Sequence, residues 1–360
     1  MTYHHNMGGS TKQLLSENKK IPMDKSVLKQ FLKAGFIYTN KLFPTEEGTP
    51  QGGIISPILA NMTLDGMEKV IAEKFHATLR ERFKNKVNLV RYADDFIVTT
   101  TSEEVACEVK DILKDFLKER GLELSEEKTL VTHIDNGFDM LGWNFRKYND
   151  KLIIKPSRKS IQSFKRKLSE TIIGRGKTWT HESLIIKLNQ QIRGWTNYNQ
   201  SVCSAKVFSY IDHIIWEMLW TWAKRRHPKK SRRWIVRNYW HSIGNNNWVF
   251  CTEKFRLIQA KLNPIVRHTK IRANANAYLE PEYFTKRKFQ NGMKRLTRKF
   301  KTIWKNQKGI CPICNEPINI EERDITLKIP KTNGGTESTS NMNYVHKNYK
   351  IMYQGCCVKT

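Results

Sequence analysis

The chain has 360 residues, of which 63 are lysine or arginine and 34 are aspartate or glutamate, so its net charge is +29. This length predicts two or three domains with sizeable hydrophobic cores. The positive excess indicates a polyanionic partner, with nucleic acid favoured over an anionic membrane surface. No apolar run approaches the roughly 20 residues that a membrane-spanning helix needs. Seven cysteines, an odd number, favour a reducing compartment over a disulfide framework.

A loop rich in proline and glycine spans residues 43–53 and precedes a predicted helix. Ser56 is suited to cap that helix and Pro57 to begin it, and one apolar face then continues to about Arg80. A glycine-rich loop before a helix N-terminus can approach phosphates or a nucleotide, although many such loops bind nothing.

Two short β-rich runs, residues 87–90 and 96–99, flank the adjacent acids Asp94 and Asp95. The pattern predicts a hairpin with both carboxylates at its tip. Neighbouring carboxylates repel each other unless a cation lies between them, and oxygen ligands of this kind suit Mg²⁺. The alternative is a solvated turn without a metal.

Regular elements are predicted on both sides of Pro156. Ser102 and Gly121 bound a predicted helix, and short strands are expected at 122–125 and 140–145. This mixture predicts an α+β domain. From Pro156 onward, three amphipathic helices in succession predict a small bundle, with Gly194 expected to end the second helix.

Two basic stretches follow the predicted bundle. Seven of the eleven residues from 224 to 234 carry positive charge, and aromatic residues flank them. This density favours phosphate contacts with base stacking, and the alternative is a solvated charged face. A basic amphipathic helix and a linker are predicted between Lys286 and Lys305.

The tail contains Cys311 and Cys314, a spacing that can hold Zn²⁺ if two more ligands are supplied. The later cysteines, Cys356 and Cys357, are adjacent rather than two apart. Two free thiols on a loop are therefore the alternative to a zinc site.

In this order and spacing, the motifs resemble those of group II intron-encoded reverse transcriptases and maturases. The residues that carry the resemblance are Gly48–Asn61, Tyr92–Asp95, Leu124–Thr129 and Met140–Trp143 for the palm, and Arg193–Tyr198 and Trp222–Pro228 for the thumb, or domain X. The resemblance implies a partial reverse-transcriptase palm (1–150), an α-helical maturase-specific thumb (151–245), a basic linker or DNA-binding region (246–305) and a degenerate HNH-like domain (306–360).

The resemblance also implies RNA-directed DNA polymerase chemistry with two Mg²⁺ ions. Asp94 and Asp95 would be the catalytic metal ligands, Gln51 and Gly52 would shape the template and nucleotide site, and Lys128 would lie near the departing phosphate. The residues expected to bind RNA are Arg193, Trp195, Lys224, Arg225, Arg226, Lys229, Lys230, Arg232 and Arg233.

The sequence departs from the family pattern in two places. The family's first catalytic aspartate should precede the loop on a strand, but the only acids there are Glu17, Asp24, Glu46 and Glu47, none in an apolar β run. We therefore expect a chain that begins inside the palm, lacks the fingers and shows no measurable primer extension by itself.

The second departure concerns the HNH-like tail, where Asn341 and His346 remain from the motif. Thr326 and Leu327 occupy the places of the family's adjacent histidine pair, which supplies the general base. The tail is therefore expected to be inactive as a nuclease.

The expected function is that of a group II intron reverse transcriptase and maturase, which binds intron RNA for splicing and retrohoming. The alternatives are an RNA-binding splicing cofactor without catalysis and a remnant of a mobile element. Expected partners are intron RNA, a DNA target and possible separate fingers on another fragment, without a membrane. The expected location is the bacterial cytoplasm or an organelle.

Overall fold

The computed structural model describes residues 24–33, 35–38, 41–43, 56–243, 246–272, 275–320 and 323–346. The α-helices are α1 (Lys25–Lys33), α2 (Ser56–Leu64), α3 (Met67–Phe75), α4 (Leu79–Asn85), α5 (Glu103–Lys118), α6 (Arg158–Ser169), α7 (His181–Asn199), α8 (Ala205–Arg226), α9 (Arg232–Tyr239), α10 (Pro281–Lys294) and α11 (Arg298–Asn306). The strands are β1 (Phe36–Tyr38), β2 (Lys41–Phe43), β3 (Asn88–Tyr92), β4 (Asp95–Thr99), β5 (Phe138–Met140), β6 (Trp143–Tyr148), β7 (Lys151–Pro156), β8 (Trp240–Ile243), β9 (Asn246–Phe250), β10 (Arg323–Leu327) and β11 (Met342–His346). This mixture of helices and sheets confirms the α+β prediction.

The chain divides into two compact units, residues 1–140 and 141–360. In the first unit, α3 and α5 bury their apolar faces together with Phe96 of the β3–β4 hairpin. Helix α5 has the predicted ends, because the Ser102 hydroxyl accepts a hydrogen bond from the Val105 amide and Gly121 adopts a φ of 67°. A left-handed residue at this position ends a helix without steric cost when it is glycine.

Two predictions for the first unit were wrong in detail. The single helix expected from Ser56 to about Arg80 is three helices, because Gly66 turns the chain with a φ of 95° between α2 and α3. The strand expected at 122–125 does not form. The Leu122 amide bonds back to the Leu117 carbonyl, and the amides of Lys128 and Thr129 both bond to the Ser125 carbonyl. These local turns use the Leu122 amide and the Ser125 carbonyl, which a strand would pair with a neighbouring strand.

The second unit is built around the predicted three-helix bundle, which the structure confirms as α6, α7 and α8. Its core is continuous and aromatic-rich, and its fully buried residues include Leu168, Ile185, Leu188, Phe208 and Ile211. Gly194 does not end the second helix, as the sequence suggested. Helix α7 continues to Asn199 because Ile192, Thr196 and Asn199 lie on the face that is buried against the core.

The core extends past residue 245, where the sequence suggested that a linker begins. Phe250 and Ala260 are buried in the same cluster as the three helices. The carboxylate of Asp212 on α8 accepts hydrogen bonds from the amides of Ala260 and Lys261, at 2.7 and 2.9 Å. Burial raises the pKa of this carboxyl, although the two backbone bonds oppose the shift. Residues 246–262 therefore pack as part of the bundle.

The β6–β7 hairpin also belongs to the second unit. The Trp143 ring stacks on Tyr198 at 4.9 Å between centroids, and its Nε1 donates to Asn199 Oδ1. Toward the other end of the chain, α11 and the β10–β11 hairpin enclose a separate small core that contains Trp304, Ile320 and Tyr344. Among the described residues, no helix combines the length and hydrophobicity needed to cross a bilayer.

An irregular segment joins α6 to α7. Residues Glu170–Gly174 form a π-helical turn, and Arg175–Lys177 form a 3-10 turn. A Cβ atom on Gly176 would lie 2.4 Å from the Thr171 carbonyl oxygen and 3.3 Å from Leu184 Cδ1. The Gly176 carbonyl in turn accepts a hydrogen bond of 2.7 Å from Trp222 Nε1. Only glycine fits this close approach.

This contact predicts opposite effects of alanine at two glycines of the second unit. Gly176→Ala should lower the free energy of unfolding by about 1–3 kcal/mol, because the new methyl group collides with fixed backbone. Gly194→Ala is the matched control. No atom lies within 4 Å of its Cβ position, so alanine in this helix should stabilise by about 0.5–1 kcal/mol. All ten tryptophans lie beyond residue 140, so denaturation followed by tryptophan fluorescence reports on this unit. Equal effects of the two variants would contradict the packing described.

Candidate nucleic-acid interface and catalytic hairpin

The adjacent acids lie at the tip of the β3–β4 hairpin, whose turn has two residues, as predicted. Strands β3 and β4 pair antiparallel, with Tyr92 opposite Asp95, so Ala93 and Asp94 form the turn. Ala93 adopts a φ of 53°, the left-handed conformation that such a turn requires. Asp94 and Asp95 are half-buried, while Phe96 is fully buried and anchors the strand in the core.

Arg91 fixes the hairpin against the helix that follows the glycine-rich loop. Its Nη1 donates to Asn61 Oδ1 on α2 at 2.8 Å and to the Ala93 carbonyl at 3.0 Å. The turn that carries the two carboxylates is therefore held next to α2, whose first residue follows the loop directly. The loop residues Gln51 and Gly52 lie outside the described residues. Lys128 is half-buried in the turn after Ser125, and its role at the nucleotide stays a prediction.

The carboxylates of the hairpin do not belong to a larger cluster of metal ligands within the described ranges. The one group of three His, Cys, Asp or Glu side chains found there is in the tail. Asp94 and Asp95 are thus a pair of carboxylates at the hairpin tip, and the acids at 17, 46 and 47 lie outside the residues that the structure describes.

The basic run of the second unit is fully displayed to solvent. It covers the last turn of α8, a connecting turn and the first turn of α9. Its seven cations, Lys224, Arg225, Arg226, Lys229, Lys230, Arg232 and Arg233, are all exposed. In the part of the chain that the structure describes, none of the seven forms an ion pair with an acid. No ion pair among the described residues therefore offsets their mutual repulsion.

Aromatic residues shape the turn between α8 and α9. His227 Nε2 lies 2.8 Å from the Tyr239 hydroxyl, and its ring meets the Trp234 ring edge-on at 4.7 Å. The Lys230 ammonium lies 5.4 Å from the centre of the Trp234 ring, a cation–π contact. These contacts fix the direction in which the cations project.

Arg193 and Trp195, both expected to bind RNA, differ in their surroundings. Arg193 is exposed on α7. The Trp195 ring stacks on Phe164 at 4.6 Å and meets Phe208 edge-on at 5.8 Å. Packing against both rings makes Trp195 a part of the bundle core, and its contact with RNA stays a prediction.

His181 lies in an aromatic group under the basic run. Its ring centre is 4.2 Å from that of Phe250 and 4.9 Å from that of Tyr239. Burial lowers the pKa of His181 to about 4, with smaller contributions from His241 and Arg226. The imidazole is therefore neutral at pH 7 and acts as a packing residue.

In the tail, the structure places His346 next to Cys311 and Cys314, although the sequence assigns them to different motifs. The ligand atoms of Cys311, Cys314 and His346 lie within 4.8 Å of one another. Burial raises the pKa of the Cys311 thiol, but hydrogen bonds from the backbone amides of Cys314, Ile313 and His346 outweigh it, and the net pKa is lowered. Two thiols and an imidazole are ligands that suit Zn²⁺. The expected partners Cys356 and Cys357 lie outside the described residues.

The structure also describes Asn341 and the two positions at which the HNH motif would carry its general base. The Asn341 side chain accepts from the Ile329 amide and donates to the carbonyls of Ile329 and Thr336, which clamps the loop before β11. Thr326 and Leu327 lie on β10, opposite Asn343 and Met342. The sequence motif assigns His346 to the nuclease remnant and does not indicate its place beside the two cysteines. The signal that could have indicated a metal ligand is the position of this histidine at the end of a strand.

Comparison with known proteins assigns two segments to families. Residues 10–145 match the model for reverse transcriptase (RNA-dependent DNA polymerase). Residues 161–240 match the model for the group II intron, maturase-specific domain. One segment of the chain is therefore similar to reverse transcriptases and a later one to maturase-specific domains, and the second match covers α7, α8, α9 and the basic run.

Individual relatives narrow this class. The chain is 31% identical over 182 residues to the group II intron-encoded protein LtrA of Lactococcus lactis subsp. cremoris, covering 36% of this chain and 30% of LtrA. It is 29% identical over 144 residues to the protein YkfC of Escherichia coli, covering 32% and 37% of the two chains. A putative COX1/OXI3 intron 2 protein of Saccharomyces cerevisiae is 26% identical over 195 residues, with 40% and 22% covered.

The aligned segments span between about a fifth and two fifths of these relatives' lengths. The two family matches and the intron-encoded relatives thus show similarity to reverse transcriptases in one segment and to group II intron maturases in another.

The buried histidine predicts how the second unit responds to acid. An unfolded histidine titrates near 6.5, so His181 contributes its full stabilisation above that pH and loses it progressively as the pH falls toward about 4. The His181→Phe variant should therefore show a smaller drop in Tm between pH 7 and pH 4.5 than the unaltered chain. The exposed His213, which pairs with Glu217, provides the control as His213→Gln. An unchanged Tm drop in His181→Phe would contradict the assignment.

Proposed function

We propose that the chain binds group II intron RNA through the second unit and acts there as a maturase. The observation that carries the proposal is a set of seven exposed cations on the segment that matches the maturase-specific domain, none of which pairs with an acid among the described residues. Such cations release counterions when they neutralise RNA phosphates, which favours binding at low salt. The rigid bundle beneath them supports a fixed array, because the cations lie at the ends of packed helices.

The β3–β4 hairpin supports a second part of the proposal, a place for catalytic Mg²⁺. Asp94 and Asp95 would hold the metal, whose chemistry is to activate a primer hydroxyl and stabilise the leaving pyrophosphate. The hydrogen bonds of Arg91 keep the turn in place for that role. Gln51, Gly52 and Lys128 remain proposed contacts to template and nucleotide.

Two carboxylates are fewer than a two-metal centre normally uses. The described residues place no third acid with Asp94 and Asp95. We therefore propose RNA binding, and not polymerisation, as the activity of this chain by itself. A separate fragment with the missing carboxylate and a DNA target are proposed partners of the complete system.

For the tail we propose a zinc-stabilised module in place of an active HNH nuclease. Cys311, Cys314 and His346 would supply three ligands, and the ion would supply folding energy to a small core. The lowered pKa of Cys311 favours the thiolate that zinc requires. The limits expected for the palm and the tail are 1–150 and 306–360. The packing of the β6–β7 hairpin in the second unit supports a palm that ends near residue 140, and the packing of α11 in the tail core supports a tail that begins before residue 306. The packing of Phe250 and Ala260 supports a thumb that continues beyond residue 245.

RNA binding is tested by removing three cations from the run. The triple variant Lys229→Gln, Lys230→Gln, Arg232→Gln should weaken binding to intron RNA. The slope of log K against log salt should shrink by about 2–3, because each lost phosphate contact contributes about 0.7–0.9. Fluorescence anisotropy across a salt series measures both values.

The matched control changes the same charge on the same unit. Lys165, Lys187 and Lys206 are exposed on α6, α7 and α8 outside the run, and their replacement by glutamine should change the slope less. Equal losses of RNA affinity and salt slope in the two triple variants would show that net charge alone, and not the basic run, determines binding. Equal affinity of the unaltered chain for intron RNA and for random RNA of the same length would refute maturase function.

Metal binding by the tail has its own test. The purified full chain should bind about one Zn²⁺, and Co²⁺ substitution should produce thiolate-to-metal absorption bands. Cys314→Ser should lose these bands and lower the unfolding temperature of the tail. Cys203→Ser is the control, because Cys203 is an exposed thiol outside the cluster. A chain without bound zinc, or identical spectra from both variants, would refute the site.

A further inference from the structure

A cavity of about 200 Å³ opens beside the end of α8 in the second unit. Two segments distant in sequence line it: the irregular connection between α6 and α7, and the last turns of α8. The lining residues are Ile172, Ile173, Lys177, Trp222, Arg225 and Arg226. We call this cavity the α8 pocket. Lys177, Ile172 and Ile173 were not among the residues that the sequence motifs indicated.

The α8 pocket has an apolar side and a cationic side. Ile172, Ile173 and the ring of Trp222 form the apolar side. Trp222 Nε1 is already bonded to the Gly176 carbonyl, so this tryptophan presents hydrocarbon rather than a free donor to the cavity. Apolar lining with a few fixed polar groups is typical of small-molecule sites.

The cationic side consists of Lys177, Arg225 and Arg226, all exposed. Among the described residues, none of the three has an ion-pair partner. Arg226 is held in place, since its Nη1 donates to the Trp179 carbonyl and its guanidinium lies 4.7 Å from the centre of the Trp222 ring. A guanidinium has five N–H donors, so further donors remain for a ligand.

The backbone of the pocket is built with unusual geometry. The π-helical turn at Glu170–Gly174 supplies Ile172 and Ile173, and the 3-10 turn supplies Lys177. Isolated π-helical turns occur often at functional sites. Gly176 permits this geometry by its close approach to the Thr171 carbonyl. The helix dipole favours cations at the end of α8, but it does not account for Lys177, which comes from a different segment.

We propose that the α8 pocket binds one unpaired nucleotide of a single-stranded RNA. The base packs against the partly exposed Ile173, beside the buried Ile172 and Trp222, and the attached phosphate lies among Lys177, Arg225 and Arg226. This amphipathic pattern matches a nucleotide better than a free phosphate, which would leave the apolar side unused. The inference rests on the proposed RNA binding and names the position at which one nucleotide is held.

Two single variants separate the base from the phosphate. Ile173→Trp fills the apolar side without changing charge, and Lys177→Gln removes one cation from the rim. The probe is a fluorescein-labelled single-stranded 12-mer of uridylate, with an abasic 12-mer and a double-stranded RNA of equal length for comparison. Lys187→Gln, an exposed cation of α7 outside the pocket, is the control.

For the single-stranded probe, Lys177→Gln should shrink the salt slope by about 0.7, the value for one lost phosphate contact. Ile173→Trp should weaken binding about tenfold with an unchanged slope, which corresponds to one stacked base. The abasic probe should be insensitive to Ile173→Trp, and Lys187→Gln should bind like the unaltered chain. Thermal unfolding verifies that each variant is folded, and Ile173→Phe replaces Ile173→Trp if the latter is not.

Several results would overturn the pocket. The first is unchanged binding of the 12-mer by both Lys177→Gln and the Ile173 variant. The second is no binding of the 12-mer by the unaltered chain. The third is an equal loss of binding on the duplex. Failure of the proposed maturase function is seen separately, as equal affinity of the unaltered chain for intron and random RNA. The 12-mer carries no intron sequence, so its result judges the pocket alone.

Discussion

The hydrogen bond from Trp222 Nε1 to the Gly176 carbonyl is the contact on which the second unit's functional surface depends. It ties the end of α8 to the irregular turn before α7, two segments that meet only in the folded chain. Trp222 is 3% exposed and belongs to the bundle core, whereas its neighbours Arg225 and Arg226 are exposed. The same end of α8 therefore packs into the core and presents cations to solvent. Because the turn fits only with glycine at 176, the position of Lys177 follows from the same contact.

The elements that could be predicted from the sequence are those with strong local patterns. Helix α5 has its cap at Ser102 and its glycine at 121, and the β3–β4 hairpin has two β-rich runs around a two-residue turn. Gly194 was misread as a helix end because glycine is a common terminator. Here the buried face through Ile192, Thr196 and Asn199 continues past it, so tertiary packing outweighs local propensity.

Other features depend on contacts between distant segments and leave little trace in local sequence. Asp212 binds the amides of residues 260 and 261, which brings a segment that reads as a linker into the core. His346 joins Cys311 and Cys314 across the β10–β11 module, although its motif indicated a nuclease remnant. In the sequence, Lys177 is not distinguished from other basic residues. In the fold, the α6–α7 connection places it in the same pocket lining as Arg225. The hairpin with Asp94 and Asp95 lies in the segment that matches the reverse transcriptase model, and the exposed cations of the basic run lie in the segment that matches the maturase-specific domain.

The central claim is that the second unit holds the RNA. Ultraviolet cross-linking of the full chain to group II intron RNA, followed by mass spectrometry of the cross-linked peptides, tests it most directly. The account predicts cross-links concentrated between residues 161 and 240, above all at 224–234 and around 172–177. Cross-links confined to residues 56–140, or spread in proportion to exposed lysine and arginine over the whole chain, would contradict it.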